Sequence, residues 1–532
     1  MKFSKICKMF SLLQVESGQL EKIKIFKNYM DKKSMGDCTF LIDSNSKIRK
    51  KLKIADRLCE KICKNRETWA LYDLTYARYI KNFSVGPESN VLVSDVVKFF
   101  EKIGNLVGPG STNKKILDLK NFCEALNSSE KYWFFALLRS KLRIGFSNNN
   151  FVLAIHNLGY KTLTQCKRIY GIASDLTDFW RRINLEISDK IEYFKPVRPM
   201  LVKTCTRQRF KTLLETKKYL MQPKFDGFRL QVHHHNGRFK YYTRRLEQIS
   251  KSLYPLTPIF FKNLKNLPNF IIDGQLVSDD HAFQDISRVI MRKVPDIKIM
   301  AALNLKLYVF DIIKLGKIEY TKSRFDVRMA ILRRKLAAHL KIEPVNSNLV
   351  FNLDQVVDYA NSGHMIAHQG VVLKKADSPY RMGYRHTDWL KYKKDNHTAD
   401  LIVVGAKMGI GKFRCQYGSY LMGLKIRNRL KTIGFVGSGF SDLLRAQYHK
   451  KFSKIQISEP LDRDLRLKHN QAGMIWFMPE HIFEIEFQEL QKTSDYTSGY
   501  SMRFPIHKRI RPDKSPEDAT KIEELKAIYV NP

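Results

Sequence analysis

Cysteine is scarce. There are eight in 532 residues, at 7, 38, 59, 63, 123, 166, 205 and 415. No two form a Cys-x-x-Cys pair, so the spacing excludes a disulfide framework. Cys59 and Cys63 lie one helical turn apart, but no second Cys/His pair follows to complete a zinc site. The thiols read as reduced groups of an intracellular protein. Long apolar runs are lacking too: nothing approaches the roughly 18 residues of a membrane-crossing helix. The opening MKFSKICKMFSLLQVESG starts basic, but its apolar stretch breaks too early for a secretion signal. Repeats and low-complexity tracts are missing. Acid is in short supply, with 52 Asp and Glu against 94 Lys and Arg, a net charge of +42. Such a field attracts polyanions, and without a membrane segment the partner is nucleic acid rather than lipid.

The pattern changes along the chain. Residues 1–195 read as helical. SEKYWFFALLRSKLRIGFSNNNFVLAIHNLGY carries apolar residues at helical spacing, and SNNN breaks one helix and caps the next. Arg139, Lys141 and Arg143 lead up to Gly145 as a basic edge suited to phosphates. KIRKKLK at 47–53 is a DNA contact or a nuclear import signal. Residues 196–395 read as α+β on antiparallel sheets. FRLQVHHHNGRFKYYTRR is a hairpin turning at Asn236-Gly237, and NFIIDGQLV, LKLYVFDII, QGVVLKKA and DWLKYKK are further strands. His233, His234 and His235 alternate between strand faces, so they do not converge on one ion; we expect them on the hairpin surface. Residues 396–532 turn to short strands and Gly-rich turns, which predicts a small C-terminal β-barrel.

The chemistry concentrates in MQPKFDGFRL. Lys224 stands beside Asp226-Gly227, with Arg229 two residues on. An amine attacks phosphorus through its lone pair, so it needs burial or neighbouring cations. Attack on a nucleotide α-phosphate also needs cations for the charge that builds on the phosphate oxygens. Arg229, Arg244, Lys374, Lys391 and Lys393 supply them, the last two on one face of a strand in WLKYK. Gly227 lets the backbone turn tightly. A lone Lys-x-Asp-Gly is common. The ordered set KFDGFR, YTRRLE, FIIDGQLV, LYVFDII, QGVVLK, WLKYKKD and SMRFPIHKRIRPDK is not.

This order resembles the ATP-dependent DNA ligases, within the covalent nucleotidyltransferases, and is most similar to the branch holding the vertebrate type-three ligase and the ligases of large DNA viruses. LLRSKLRIGF resembles the family's DNA-binding domain, and TADLIVVGAKMGIGKF the start of its OB-fold domain. The resemblance implies a compact three-domain form: a helical DNA-binding domain (1–195), an adenylation domain (196–395) and an OB-fold (396–532). It implies that Lys224 becomes the lysyl-adenylate and that Phe310 stacks on adenine. Arg229 and Arg244 would contact the nucleotide and the nick 5′-phosphate. Lys374, Lys391 and Lys393 would hold the α-phosphate. Arg509 and Arg511 would contact the nucleotide, with Asp513 and Lys514 orienting the pyrophosphate. Arg139, Lys141, Arg143 and Gly145 would face DNA.

Three positions depart from the family. Gln222 stands where an adenine-reading Glu is frequent, and its amide oxygen can still accept a hydrogen bond. Gln275 and Gln369 replace acids tied to ribose recognition and metal binding, and an amide is a weak ligand for magnesium. The resemblance implies ATP with magnesium, or manganese in its place, and nicked duplex DNA as substrate for a monomer acting inside the cell. It implies the nucleus, or the host nucleus or cytoplasm for a viral enzyme. A capping guanylyltransferase, which shares the Lys-x-Asp-Gly core, and a catalytically impaired DNA-binding scaffold are the rival readings.

Overall fold

Helix starts follow local rules. In the computed structural model the side chains of Asp31, Ser147, Thr162 and Asp175 each accept the backbone N–H three residues on, from Ser34, Asn150, Gln165 and Asp178. These are the caps that Ser, Thr and Asp supply before an apolar periodic run. The structure describes residues 1–43, 88–108, 110–138, 142–205, 207–264, 267–278, 280, 283–292, 296–336, 341–361, 368–392, 397–410, 413–467 and 473–530. In its first part the helices are α1 (Phe3–Val15), α2 (Gln19–Tyr29), α3 (Lys32–Ile42), α4 (Val93–Asn105), α5 (Ser111–Glu124), α6 (Ser128–Leu138), α7 (Asn148–Asn157), α8 (Leu163–Ile172) and α9 (Leu176–Asn184). KIRKKLK, Cys59 and Cys63 lie outside the described residues.

Two compact units emerge. One takes the described parts of 1–29, 48–146 and 395–532, the other those of 30–47 and 147–394. The second unit holds two antiparallel-rich sheets. Its strands are β1 (Leu201–Thr204), β2 (Tyr219–Phe225), β3 (Phe228–His235), β4 (Arg238–Thr243), β5 (Phe270–Val277), β6 (Lys306–Leu315), β7 (Ile318–Glu319), β8 (Ile342–Pro344), β9 (Asn348–Val350), β10 (His368–Lys375) and β11 (Arg385–Tyr392). One sheet runs β1-β11-β10-β2-β9; the other runs β4-β3-β5-β6-β7, with β8 on β6. Asp226-Gly227 joins β2 of the first sheet to β3 of the second, so KFDGFR is the link where the chain changes sheets.

The segment after α7 is fastened to the second sheet. Arg168 on α8 bridges Asp189 at 2.9 Å and Glu319 at 2.6 Å. The Tyr193 hydroxyl donates to the Asn269 and Gly316 carbonyls, and the Val197 N–H donates to Gln231. This packing overturns the expected exposure of the histidines. His233 is 0% and His234 6% exposed. Because β3 is an interior strand covered on both faces, His233 Nδ1 accepts the Phe194 N–H and its Nε2 bonds Gln231, while His234 packs between Phe239 and Phe270. Burial pushes the His233 pKa down to about 3, and the imidazole stays neutral. The three rings do not converge, in keeping with strand alternation.

The C-terminal strands belong to the first unit: β12 (His397–Met408), β13 (Tyr417–Ile426), β14 (Arg429–Val436), β15 (Gln456–Ile457), β16 (Met474–Phe477), β17 (Ile482–Phe487), β18 (Glu489–Lys492), β19 (Tyr500–Arg503) and β20 (Ile506–Ile510). The long β12 pairs with β13, β16 and β17, and β17 pairs with β20. The sheet branches at β12, and a parallel bridge from Ser438, just past β14, to Ile506 on β20, with the His507 N–H donating to the Ser438 carbonyl at 2.9 Å, brings its two ends together as the expected barrel requires.

Candidate active site

The two sheets enclose a cavity of about 780 Å³ lined from both sides. Gln222 and Lys224 reach it from β2, Val372 and Lys374 from β10, and Trp389 from β11; the other sheet contributes Arg229, Thr243, Gln275 and Phe310. Arg244, Arg245 and Glu247 complete the lining. A cavity of this size, mostly apolar with converging cations, suits a ligand with an aromatic part and anionic groups.

Lys374 is strongly perturbed. It is 2% exposed. Its ammonium donates to the Phe310 carbonyl at 2.9 Å and lies 4.0 Å from the Trp389 ring centroid and 4.4 Å from that of Phe310. Burial is the main cause that brings its pKa down to about 7; Asp311 and Asp273 oppose the shift, while Arg328 and Arg229 add to it.

Phe310 is half-buried and carries cations on its ring, with the Arg229 guanidinium 5.2 Å from its centroid. Arg229 is locked by Asp273, which takes two hydrogen bonds at 3.0 and 2.6 Å. The Tyr380 hydroxyl donates to the same carboxylate at 2.6 Å. Gln222 is buried and its amide nitrogen donates to Ser347 at 2.7 Å; its oxygen is left as the acceptor on the cavity wall. The Gln275 amide nitrogen donates to the Gly227 carbonyl. Gly227 is needed for closeness: a Cβ there would sit 2.4 Å from the Leu276 carbonyl oxygen.

Arg385, missed in the sequence, extends the cationic wall. Burial lowers the Lys391 pKa first, followed by Arg385 and Arg244; Arg244 in turn is lowered by burial, then Arg229, Arg385 and Arg245. Arg385 lies six residues before Lys391 on β11, the same face by alternation. That period-two spacing back from WLKYK was the signal available to find it.

Arg509, Arg511, Asp513 and Lys514 belong to the other unit. There Asp400 gathers Arg511 at 3.0 Å and Lys514 at 2.7 Å, Asp513 takes Arg511 at 2.6 Å, and Glu484 takes Arg509 at 2.7 Å. In the same unit Arg143 (φ 45°) and Gly145 (φ 62°) hold left-handed conformations. Buried Lys22 donates to the Ile144 carbonyl at 2.7 Å, directly beneath Gly145. Arg139, Lys141 and Lys393 lie outside the described residues, as does the side chain of Gln369.

Among the described residues, neither Asp273 nor Asp311 is free to hold a magnesium ion. Asp273 is neutralised by Arg229, and Asp311 is paired with Arg328 at 2.7 Å, both partners 0% exposed. Among the described residues no group of three or more His, Cys, Asp or Glu is placed to hold a metal.

Comparison with known proteins follows this division. The model "DNA ligase N terminus" matches residues 2–156, "ATP dependent DNA ligase domain" residues 199–393, and "ATP dependent DNA ligase C terminal region" residues 414–514. The DNA ligase of Methanocaldococcus jannaschii is 27% identical over 465 residues, covering 82% of this chain and 79% of its own. That of Archaeoglobus fulgidus is 28% identical over 448 residues, covering 82% and 78%. The solved structure "Pmar-Lig_PreS3" shares the fold, with a TM-score of 0.58 at 18% identity over 95% of this chain and 99% of that one. Since the three regions of one enzyme are matched in order along the sequence, the chain belongs to the ATP-dependent DNA ligase family, whose members seal nicks in duplex DNA.

Proposed function

We propose that Lys224 is the residue that takes AMP. The observation that carries this reading is its place: it is the last residue but one of β2, just before the chain changes sheets, and lines the wall of the cavity that also presents Lys374 and Gln222, opposite Phe310. Lys224 Nζ attacks the α-phosphorus of ATP with its lone pair. A phosphoramidate N–P bond forms, the bond to pyrophosphate breaks, and the amine proton leaves. Phe310 and the Gln222 oxygen seat adenine. Lys374, Lys391 and Arg244, with Arg385 beside them, hold the phosphate oxygens as charge builds. The nick 5′-phosphate then displaces Lys224 from AMP, and the 3′-hydroxyl displaces AMP to close the strand. A magnesium ion carried by the nucleotide's own phosphates would supply screening of the phosphate charge, and no residue named here would have to hold it.

The chain works as three successive regions, 1–195, 196–395 and 396–532, on one duplex and as a monomer. Arg511 and Lys514 serve the pyrophosphate-releasing step; Arg143 and Gly145 serve DNA. The archaeal relatives leave the viral or type-three affiliation resting on the sequence resemblance alone.

The test uses purified full-length protein and ATP or GTP labelled at the α-phosphate. Label is expected from ATP and not from GTP, and Lys224→Ala takes none while still closing a nick that already carries 5′-AMP. Loss of both activities in a folded Lys224→Ala protein would remove Lys224 from the nucleophile's role. Labelling from GTP would favour the capping reaction.

A further inference from the structure

Strand β5 touches the KFDGFR link twice from one face. Residues 273 and 275 point the same way on a strand. Asp273 grips the Arg229 guanidinium with two hydrogen bonds, and Gln275 donates its amide hydrogen to the Gly227 carbonyl. In the β3–β5 ladder Arg229 is opposite Gln275 and Phe228 opposite Leu276. Gly227 lies one residue beyond that last pair, where the backbone has left the sheet and its carbonyl has no strand partner. The Gln275 side chain supplies the missing bond, and the close approach of the Gly227 α-carbon to the Leu276 carbonyl brings the two within reach.

From this arrangement we propose that Gln275 is a positioning residue: its amide clamps the Gly227 carbonyl and so fixes the turn that aims Lys224, a task that the acid usual at this position cannot perform. Only a donor can face a carbonyl oxygen. The amide NH2 carries two N–H donors and a carboxylate has none; a carboxylate set there would meet a second partial negative charge. The glutamine is then a gain of preorganisation around the lysine, obtained by giving up a charge in the cavity. Lys224 sits near the end of β2, three residues before Gly227, and Asp273 and Gln275 together hold the β3 side of the link that follows it. Near-attack geometry is sensitive to such anchoring.

The inference rests on the reading of Lys224 as nucleophile, and its test separates the two. Three variants are compared with the parent, each in two assays: the rate of enzyme–AMP formation at saturating ATP, and closure of a nick already carrying 5′-AMP. Gln275→Glu keeps size and adds charge; Gln275→Met keeps size and adds none; Lys224→Ala removes the amine. Both Gln275 variants are expected to form enzyme–AMP about tenfold more slowly, the cost of leaving one buried acceptor unpaired. Their closure of the pre-adenylated nick should fall by less than their enzyme–AMP formation, since the lysine amine takes no part in closure. A general loss of folding would depress both assays together and would overturn the clamp. So would Gln275→Glu at or above the parental rate, because a restored acid would then be worth more than the bond. Label on Lys224→Ala sinks the nucleophile reading. A dead Lys224→Ala beside unimpaired Gln275 variants sinks the clamp alone.

Discussion

At the scale of single residues, burial decides which of the crowded cations changes its chemistry. Lys374 is enclosed by Phe310, Phe325 and Trp389, and its pKa of about 7 lies below the ordinary lysine value. The folded state therefore holds fewer protons than the unfolded chain between pH 7 and the ordinary value, and stability rises with pH across that window. Below pH 7 both states are charged and the full cost of the buried ammonium is felt. Lys374→Met, which fills the space without a charge, is expected to melt several degrees above the parent at pH 6.5, with the gap narrowing by about 1 kcal/mol per pH unit towards pH 9. Enzyme–AMP formation should be abolished by the same change. Thermal melts over a pH series check the first expectation and labelling the second.

Elements show what the sequence could convey and what it could not. The order of motifs, the strand carrying each, the SNNN cap and the Asn236-Gly237 turn were legible because they depend on neighbours in sequence. The occupation of each site residue was not. Asp273 belongs to Arg229 and Asp311 to Arg328, so both aspartates are neutralised by partners that sequence alone does not place beside them. The exposure of His233 was misread for the same reason: its cover comes from residues 193–197, outside its own hairpin. Arg385 escaped because its role appears only when Arg244 is brought alongside from another sheet. The β5 pair carries a direct prediction. Asp273→Ala leaves a largely buried guanidinium without its counter-charge, and urea unfolding should register a loss of about 3–5 kcal/mol, together with loss of enzyme–AMP formation. An unchanged midpoint would mean that Arg229 finds water or another partner.

Across the whole molecule, the net charge of +42 predicts nick affinity that falls steeply with salt and depends little on sequence. Arg143→Ala should make the log–log salt slope shallower by about 0.9, the share of one phosphate; an unchanged slope would take Arg143 off the duplex. Arg511→Ala and Lys514→Ala should slow enzyme–AMP formation more than closure of a pre-adenylated nick, since pyrophosphate leaves only in the first step; equal damage would make that cluster a DNA contact. Deleting residues 1–195 removes Arg168 and Tyr193, which fasten the preceding segment to the second sheet. The remainder is therefore expected to melt lower as well as to lose nick affinity, with labelling by ATP kept as the readout. The buried lysine also gives the reaction cycle a proton inventory. Above pH 7, Lys374 is largely neutral in the empty cavity, and the arrival of phosphate oxygens restores its charge. ATP binding at pH 8 should draw up to one proton from solution, visible in calorimetry as a heat that varies with the ionisation enthalpy of the buffer. The departure of AMP on the sealed strand should return it, so that each nick closed borrows a proton and gives it back.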